Sequence, residues 1–348
     1  MVVTSDDAVF VHRHTFGPEA ITWIERIDPI TLECVERSPD LAGGPYWAGG
    51  LAFYNDSLYV VFGYHCHRLD IALQPIRSVT LPVLRPYNSF VTLPDGSLVM
   101  KDIVLDASAP SRFSVLDPSL DAVKEFDAPE PSIARLSANG DDIYFVGDHT
   151  IYRYRGLELD DWRFTYRTLP GQTYGWDPVI AAGSVWFMDQ GEWKHGPRLK
   201  GAGVGEGPVQ LIRVSTADAS DVNVVEVCGA PSGAITNPPL VDEARRIVVA
   251  YDSANGFVTA WRIDGLERLW RREQFHSAHM LLFADSGELV TNDMPDGTDH
   301  VVVLDIETGE ELSRIDTGSP AQSMLFPAPG FDHDVYYCSF TTLARGAA

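Results

Sequence analysis

The sequence predicts an all-β protein, a seven-bladed β-propeller forming one domain over residues 1–348. Three observations carry this: two strand-turn-strand phrases that alternate along the chain, a period of about 40–45 residues between copies, and turn residues at fixed places inside each copy. The first phrase is an apolar strand, a turn containing Asp, and a second strand. It stands at 23–32 (WIERIDPITL), 68–73 (RLDIAL), 113–120 (FSVLDPSL) and 301–309 (VVVLDIETG), with weaker copies at 152–157, 211–219 and 259–266. Its Asp-Pro, Asp-Gly and Thr-Gly pairs suit tight hairpins. The second phrase is an apolar strand, a short turn and another apolar strand. Its seven copies begin near Ala48, Asn88, Ser132, Asp177, Asn237, His279 and Gln322, at spacings of 40, 44, 45, 60, 42 and 43 residues.

The order of the phrases suggests how the ring closes. The N-terminal copy of the first phrase has no second phrase before it, and the C-terminal copy of the second has no first phrase after it. Joining the two termini in one blade, the C-terminal segment giving strands A and B and the N-terminal segment C and D, removes exposed sheet edges. One strand is then left over, because 9–14 and 335–339 both read as strand B of that blade.

Composition narrows the partners. Acidic residues number 49 against 26 basic, a net charge of −23, which repels nucleic-acid phosphates and anionic lipid and so argues against both as partners. No run approaches the ~20 apolar residues that cross a bilayer, and the polar, acidic first seven residues do not read as a secretion signal. The expected location is the cytoplasm. Cys34, Cys66, Cys228 and Cys338 form no CxxC pair and read as reduced thiols.

Segment 303–318, VLDIETGEELSRIDTG, resembles the repeats of the YVTN-type and quinoprotein-type propeller superfamily, and as architecture the resemblance runs over essentially the whole chain. It implies a propeller fold. Members of this superfamily serve as lactonases, lyases, dehydrogenases and scaffolds, so the function must come from the site. Quinoproteins of this type typically have eight blades and work outside the cytoplasm, which sets a seven-bladed chain apart from them.

Strand A starts and strand B ends at one face of a propeller, so candidate chemistry gathers there. Asn88, Ser132, Asp177, Asn237, His279 and Gln322 are polar first positions in strands that continue apolar. Burying polar groups around a channel is costly unless they bind something. Asn88, Asp177 and Asn237 are oxygen donors suited to a hard cation, so Ca²⁺ or Mg²⁺ is the cofactor they would hold. His279, with His276 on the same loop and His65 at the end of another strand B, are the candidate proton carriers. His65 and His67 should point to one face of their strand and Cys66 to the other. Trp47, Tyr87, Tyr174 and Trp176 are candidate pocket walls, Gln322 a further contact, and Arg85 a partner for an anionic ligand group. A Gly-rich insertion at 190–208, carrying Lys194, His195, Arg198 and Lys200, could close over the mouth as a flap. The strand-B ends carry Asp102, Asp148, Asp189, Asp252 and Asp293, a repetition that a structural, turn-capping role explains. No GxSxG elbow, HExxH helix, P-loop or CxxC zinc spacing occurs.

Two functions follow. The main expectation is a small-molecule enzyme, a hydrolase or lyase acting on a lactone or other anionic substrate at the channel mouth, with a small-molecule ligand as its partner. The alternative is a non-catalytic propeller that binds a protein or peptide on one face, using its aromatic loops as anchors.

Overall fold

A computed structural model of the chain describes residues 1–4, 7–47, 49–196, 198–322, 327–330 and 333–346. It is an all-β propeller of eight blades, with sheets over 2–44, 50–80, 87–127, 137–165, 179–231, 240–273, 281–319 and 328–346. No helix occurs among the described residues, and none is long and apolar enough to cross a membrane.

Eight blades correct the expected seven, and the leftover strand is the reason. Val9–His14 does not complete a C-terminal blade. It pairs with Val2–Val3 on one side and Ala20–Ile27 on the other, so the N-terminus builds its own sheet. Val335–Cys338 likewise pairs with Ala328–Pro329 and Leu343–Gly346 in a separate three-stranded sheet. The two-residue strand Val2–Val3 is too short to show a period, which is why counting repeats stops at seven. The outer strand of the first blade is also broken. Ala20–Ile27 pairs with Cys34–Arg37 and then with Leu41–Gly44, the gap falling at Pro39, which has no N–H for a ladder.

Strand B of a blade is covered on both faces, so it reads as a continuous apolar run rather than an alternation. Ser57–Phe62, Leu98–Asp102 and Ile247–Asp252 are buried at every position. Period-two geometry then divides one strand between two cores. Leu58 and Val60 pack with Phe10, Ile24 and Leu41 of the first blade, while Tyr59 and Val61 pack with Tyr87, Leu98 and Met100 of the third. The outer strand Pro75–Thr80 is mostly exposed and polar.

The Asp of the first phrase is a turn acceptor. Asp28 Oδ1 accepts the N–H groups of Ile30 and Thr31, Asp117 Oδ1 those of Ser119 and Asp121, and Asp305 Oδ1 those of Glu307 and Thr308. The Asp117 turn and the equivalent Asp70 turn, where Oδ1 accepts the Gln74 N–H, bring Leu120 and Leu73 into the left-handed region, at φ of 66° and 58°, and their buried side chains join the two cores just described.

The chain divides into two compact units, 1–148 with 153–160, and 149–152 with 161–348. None of the four cysteines is in a disulfide; Cys34 is exposed, Cys66 and Cys338 are buried, and Cys228 is half-buried.

Candidate functional site

In the first unit, the polar rim positions are bonded to neighbouring backbone. Asn88 is buried, and its Nδ2 donates to the carbonyl of Ile133 at 2.8 Å, linking the third blade to the entry of the fourth. Ser132 Oγ donates to the Val146 carbonyl at 2.6 Å. Lys101, also buried, donates to the carbonyls of Ser132 and Asp102 at 3.2 and 3.3 Å. Arg85 has its anion inside the protein: Nε donates to the Asp102 carboxylate, whose other oxygen accepts the Arg112 N–H at 2.6 Å. Tyr87 is no pocket wall. It is wholly buried in the core, with its hydroxyl 3.5 Å from Ser114 Oγ, and burial pushes its phenol up to about 12.

His65 and His67 of this unit stack on each other. His65 is half-buried, 6.0 Å from His67 ring to ring, with Nδ1 3.3 Å from Thr80 Oγ1; burial lowers its pKa. His67 is buried between Ser78 Oγ at 2.8 Å and the Ala42 carbonyl at 2.7 Å, and burial lowers it to about 4. The carbonyl must accept from Nε2–H, which leaves Nδ1 as acceptor. Cys66 points to the opposite face as alternation requires, and burial pushes its thiol up to about 12. Trp47 is half-buried, beside Ala48, which lies outside the described residues.

The second unit repeats the Asn88 arrangement. Asn237 Nδ2 donates to the Ser277 carbonyl at 2.5 Å, and the Asn237 backbone exchanges two hydrogen bonds with the Tyr251 hydroxyl, at 2.7 and 2.8 Å. Asp177 is buried; burial, and to a lesser extent the Asp177 charge, raises the Tyr251 phenol. As cation ligands, Asn88 and Asn237 keep only their Oδ1 atoms, and no group of three His, Cys, Asp or Glu suited to a metal occurs among the described residues. His276 is wholly buried against Tyr251. Its Nδ1 accepts the Asn292 N–H at 3.1 Å, and burial lowers it to about 3, so it stays neutral at physiological pH. His279 is half-buried on the same loop, two residues before the strand Leu281–Phe283.

Sequence reasoning misses the network behind His276. Asn292 Oδ1 accepts the N–H groups of Ser277 and Ala278, both at 2.8 Å. Its Nδ2 faces both oxygens of the buried Asp299 at 2.9 and 3.0 Å, and the Tyr337 hydroxyl donates to the same carboxylate. These residues come from three separate stretches, and nothing in their spacing announces the meeting. Asp189 reads in sequence only as a repeat position. It is buried and accepts from Gln210 N at 2.8 Å and Gln172 Nε2 at 2.7 Å; burial nonetheless pushes its carboxyl up to about 7. Asp102 and Asp189 both accept the N–H of a strand-C residue, and Asp252 those of Ala254 and Asn255, as a capping role requires.

The insertion 190–208 is folded against its own unit. Trp193 bridges Gly203, and Lys194 N donates to the Ala202 carbonyl at 2.7 Å. Trp193 lies 5.6 Å from Trp176, which stacks on Tyr174 at 6.4 Å. Gly203 is required here, since a Cβ would come 2.0 Å from the Ser232 carbonyl. The tip is pinned by Gln322: Oε1 accepts the Leu199 N–H at 2.9 Å, and Nε2 donates to the Phe275 carbonyl at 2.6 Å. Lys200 lies 4.2 Å from the Phe275 ring centre, while Lys194 is exposed. Gln322 thus holds the insertion.

No protein-family model and no curated protein matches the chain in sequence. Solved structures do match it in shape. Sqt1 of Chaetomium thermophilum, bound to the N-terminus of the ribosomal protein L10, superposes with a TM-score of 0.65 at 11% identity, covering 97% of this chain and 91% of that one. Apo AztD from Citrobacter koseri gives 0.52 at 15% identity, covering 91% and 88%. The dihydro-heme d1 dehydrogenase NirN in complex with DHE gives 0.52 at 12%, covering 88% and 72%. The Sqt1 structure holds a protein, which corrects the expectation that the partner is a small molecule alone. At these identities the likeness shows one thing about this chain: it is a β-propeller.

Proposed function

We propose that this chain is a non-catalytic propeller that binds a protein or peptide partner on the face formed by its B–C and D–A loops. The observation that carries this is a set of exposed apolar side chains on three such loops of the first unit: Phe16 at 65%, Leu84 at 68% and Leu105 at 55% exposure. Antiparallel strands put these loops at one end of their sheets. The loops are also tied together. Phe16 lies 4.9 Å from Tyr46, the 81–87 loop bonds to Tyr64 and Gly63 through Leu81 and Tyr87, and Arg85 reaches Asp102 at the base of the Leu105 loop. Exposed apolar groups on loops joined by such contacts favour protein association. The polar residues that would carry small-molecule chemistry, Asn88, Asn237, Arg85 and Gln322, are bonded within the protein. The protein partner of the similarly folded Sqt1 is in keeping with this reading.

The test compares capture of cellular proteins by the wild-type chain, by the triple variant Phe16→Ser/Leu84→Ser/Leu105→Ser, and by Ile30→Ser/Ile71→Ser on the C–D turns. A partner held by the wild type and the control but lost by the triple variant is the expected result. Retention of the same proteins by all three would overturn the assignment of this face.

A further inference from the structure

We propose that the first unit carries a second, independent contact site at the opposite end of its sheets: an anchoring pocket for a lysine or arginine side chain from a basic segment of a protein partner. A cleft of about 400 Å³ opens there, lined by Tyr54, Thr92, Leu93, Pro94, Ala138 and Gly140. These residues belong to the A–B turns of the second, third and fourth blades, so three successive hairpins form one concavity. It is an open cleft, suited to one side chain of a partner rather than to an enclosed ligand.

The hairpins hold the cleft open by their backbone geometry. Asn55 and Asp56 both have positive φ, 46° and 51°, which makes a two-residue turn of the primed type between Tyr54 and Ser57. Gly96 has φ of 85°, and a Cβ there would come 3.3 Å from the Tyr54 hydroxyl, so the tyrosine is laid against the neighbouring turn. A Cβ on Gly140 would meet nothing within 4 Å.

Charge selects the occupant. Each turn adds a carboxylate within two residues of a lining residue: Asp56, Asp95 and Asp141, all exposed. None has an ion-pair partner among the described residues. Asp95 accepts only the Ser97 N–H, at 2.8 Å. Cations nearby are already engaged. Arg68 donates to Ser57 Oγ and the Pro118 carbonyl, and Arg155 pairs with Asp142 and Asp160. A cleft lined by Tyr54, Leu93 and Pro94, with a carboxylate on each of the same three turns, matches a long aliphatic stem that ends in a positive charge. The net charge of −23 favours the approach of a basic segment over a neutral or acidic one.

The site can be read directly, because Thr92, Leu93 and Ala138 carry methyl groups. Methyl NMR of the full chain is titrated with Nα-acetyl-arginine amide, Nα-acetyl-lysine amide and, as the neutral comparison, Nα-acetyl-glutamine amide. The cationic probes should shift these three methyls and the neutral probe should not. The isosteric variant Asp56→Asn/Asp95→Asn/Asp141→Asn should weaken binding by about tenfold. Ala138→Trp should fill the cleft and abolish it. Equal shifts from the neutral and cationic probes, or unchanged affinity in the triple variant, would overturn the proposal. Asn suits a left-handed turn and keeps the acceptor for Ser97, so the triple variant should fold normally, as its unperturbed methyl spectrum elsewhere would confirm. The outcome is separate from the Phe16–Leu84–Leu105 test, since either face can fail alone.

Discussion

Two sets of polar residues in the repeats behave in opposite ways. Asn88 and Asn237, at the entry to strand A of their blades, are buried, and each gives its amide to a backbone carbonyl of the next blade. Asp56, Asp95 and Asp141, at equivalent places in the A–B turns, are exposed and lack ion-pair partners among the described residues. Both sets are polar and recur from blade to blade. The difference is whether the side-chain atoms already have partners. A buried amide bonded to backbone holds blades together, while a solvated carboxylate beside a cleft is available to something else.

The strongest way to sharpen this contrast is pH. His67 and His276 are buried with pKa values lowered to about 4 and about 3. Above the unfolded value of 6.5, both states are neutral and pH has no effect through these groups. Below 6.5 the unfolded chain takes up protons that the folded chain refuses, so stability falls as pH drops from 6.5 and levels off below about 4 for His67 and below about 3 for His276. By pH 5 each histidine should cost about 2 kcal/mol, measured as a fall in the urea midpoint between pH 7 and pH 5. Asp189 runs the other way. Its folded pKa is raised to about 7, so its contribution is complete below 3.8 and is lost as pH rises through 7. In an Asp189→Asn background, which removes this opposing contribution, an unchanged midpoint from pH 7 to pH 5 would mean the two histidines are solvated.

Next in size is Asn292→Ala. It strips the acceptor from two buried N–H groups and a donor from the Asp299 carboxylate, and should cost about 3 kcal/mol by urea denaturation. Asn88→Ala and Asn237→Ala should each cost about 1 kcal/mol, against less than about 0.5 kcal/mol for any one of Asp56→Asn, Asp95→Asn and Asp141→Asn. Equal costs in the two sets would break the comparison. The smallest effect concerns the insertion. Gln322→Ala frees the Leu199 N–H and the Phe275 carbonyl, and trypsin should then cut faster after the exposed Lys194 and Lys200, with little change in global stability.

Propeller architecture is legible because it rests on local signals: turn aspartates such as Asp28 and Asp117, left-handed leucines after them, and apolar B strands covered on both faces. The eighth blade is hidden because its evidence is a two-residue strand at one end and an extra strand at the other. Candidate site residues can be found as positions but not as partners. Arg85 reads as a free cation until Asp102, seventeen residues later, is seen beside it. The meeting of Asn292, Asp299 and Tyr337 depends on tertiary packing that no spacing encodes. The cleft at Tyr54 is likewise a product of three hairpins standing side by side.

The cysteines have a practical consequence. Cys66 and Cys228 have thiols pushed up to about 12 and about 11 by burial, and Cys338 is enclosed, whereas Cys34 lies open on the outer strand of the first blade. Maleimide chemistry at neutral pH should therefore modify one position only. A fluorophore there sits beside the C–D turn of the first blade, at the end of the sheet away from the Phe16 loop, which makes the native chain, without any engineered handle, a ready reporter for fluorescence anisotropy.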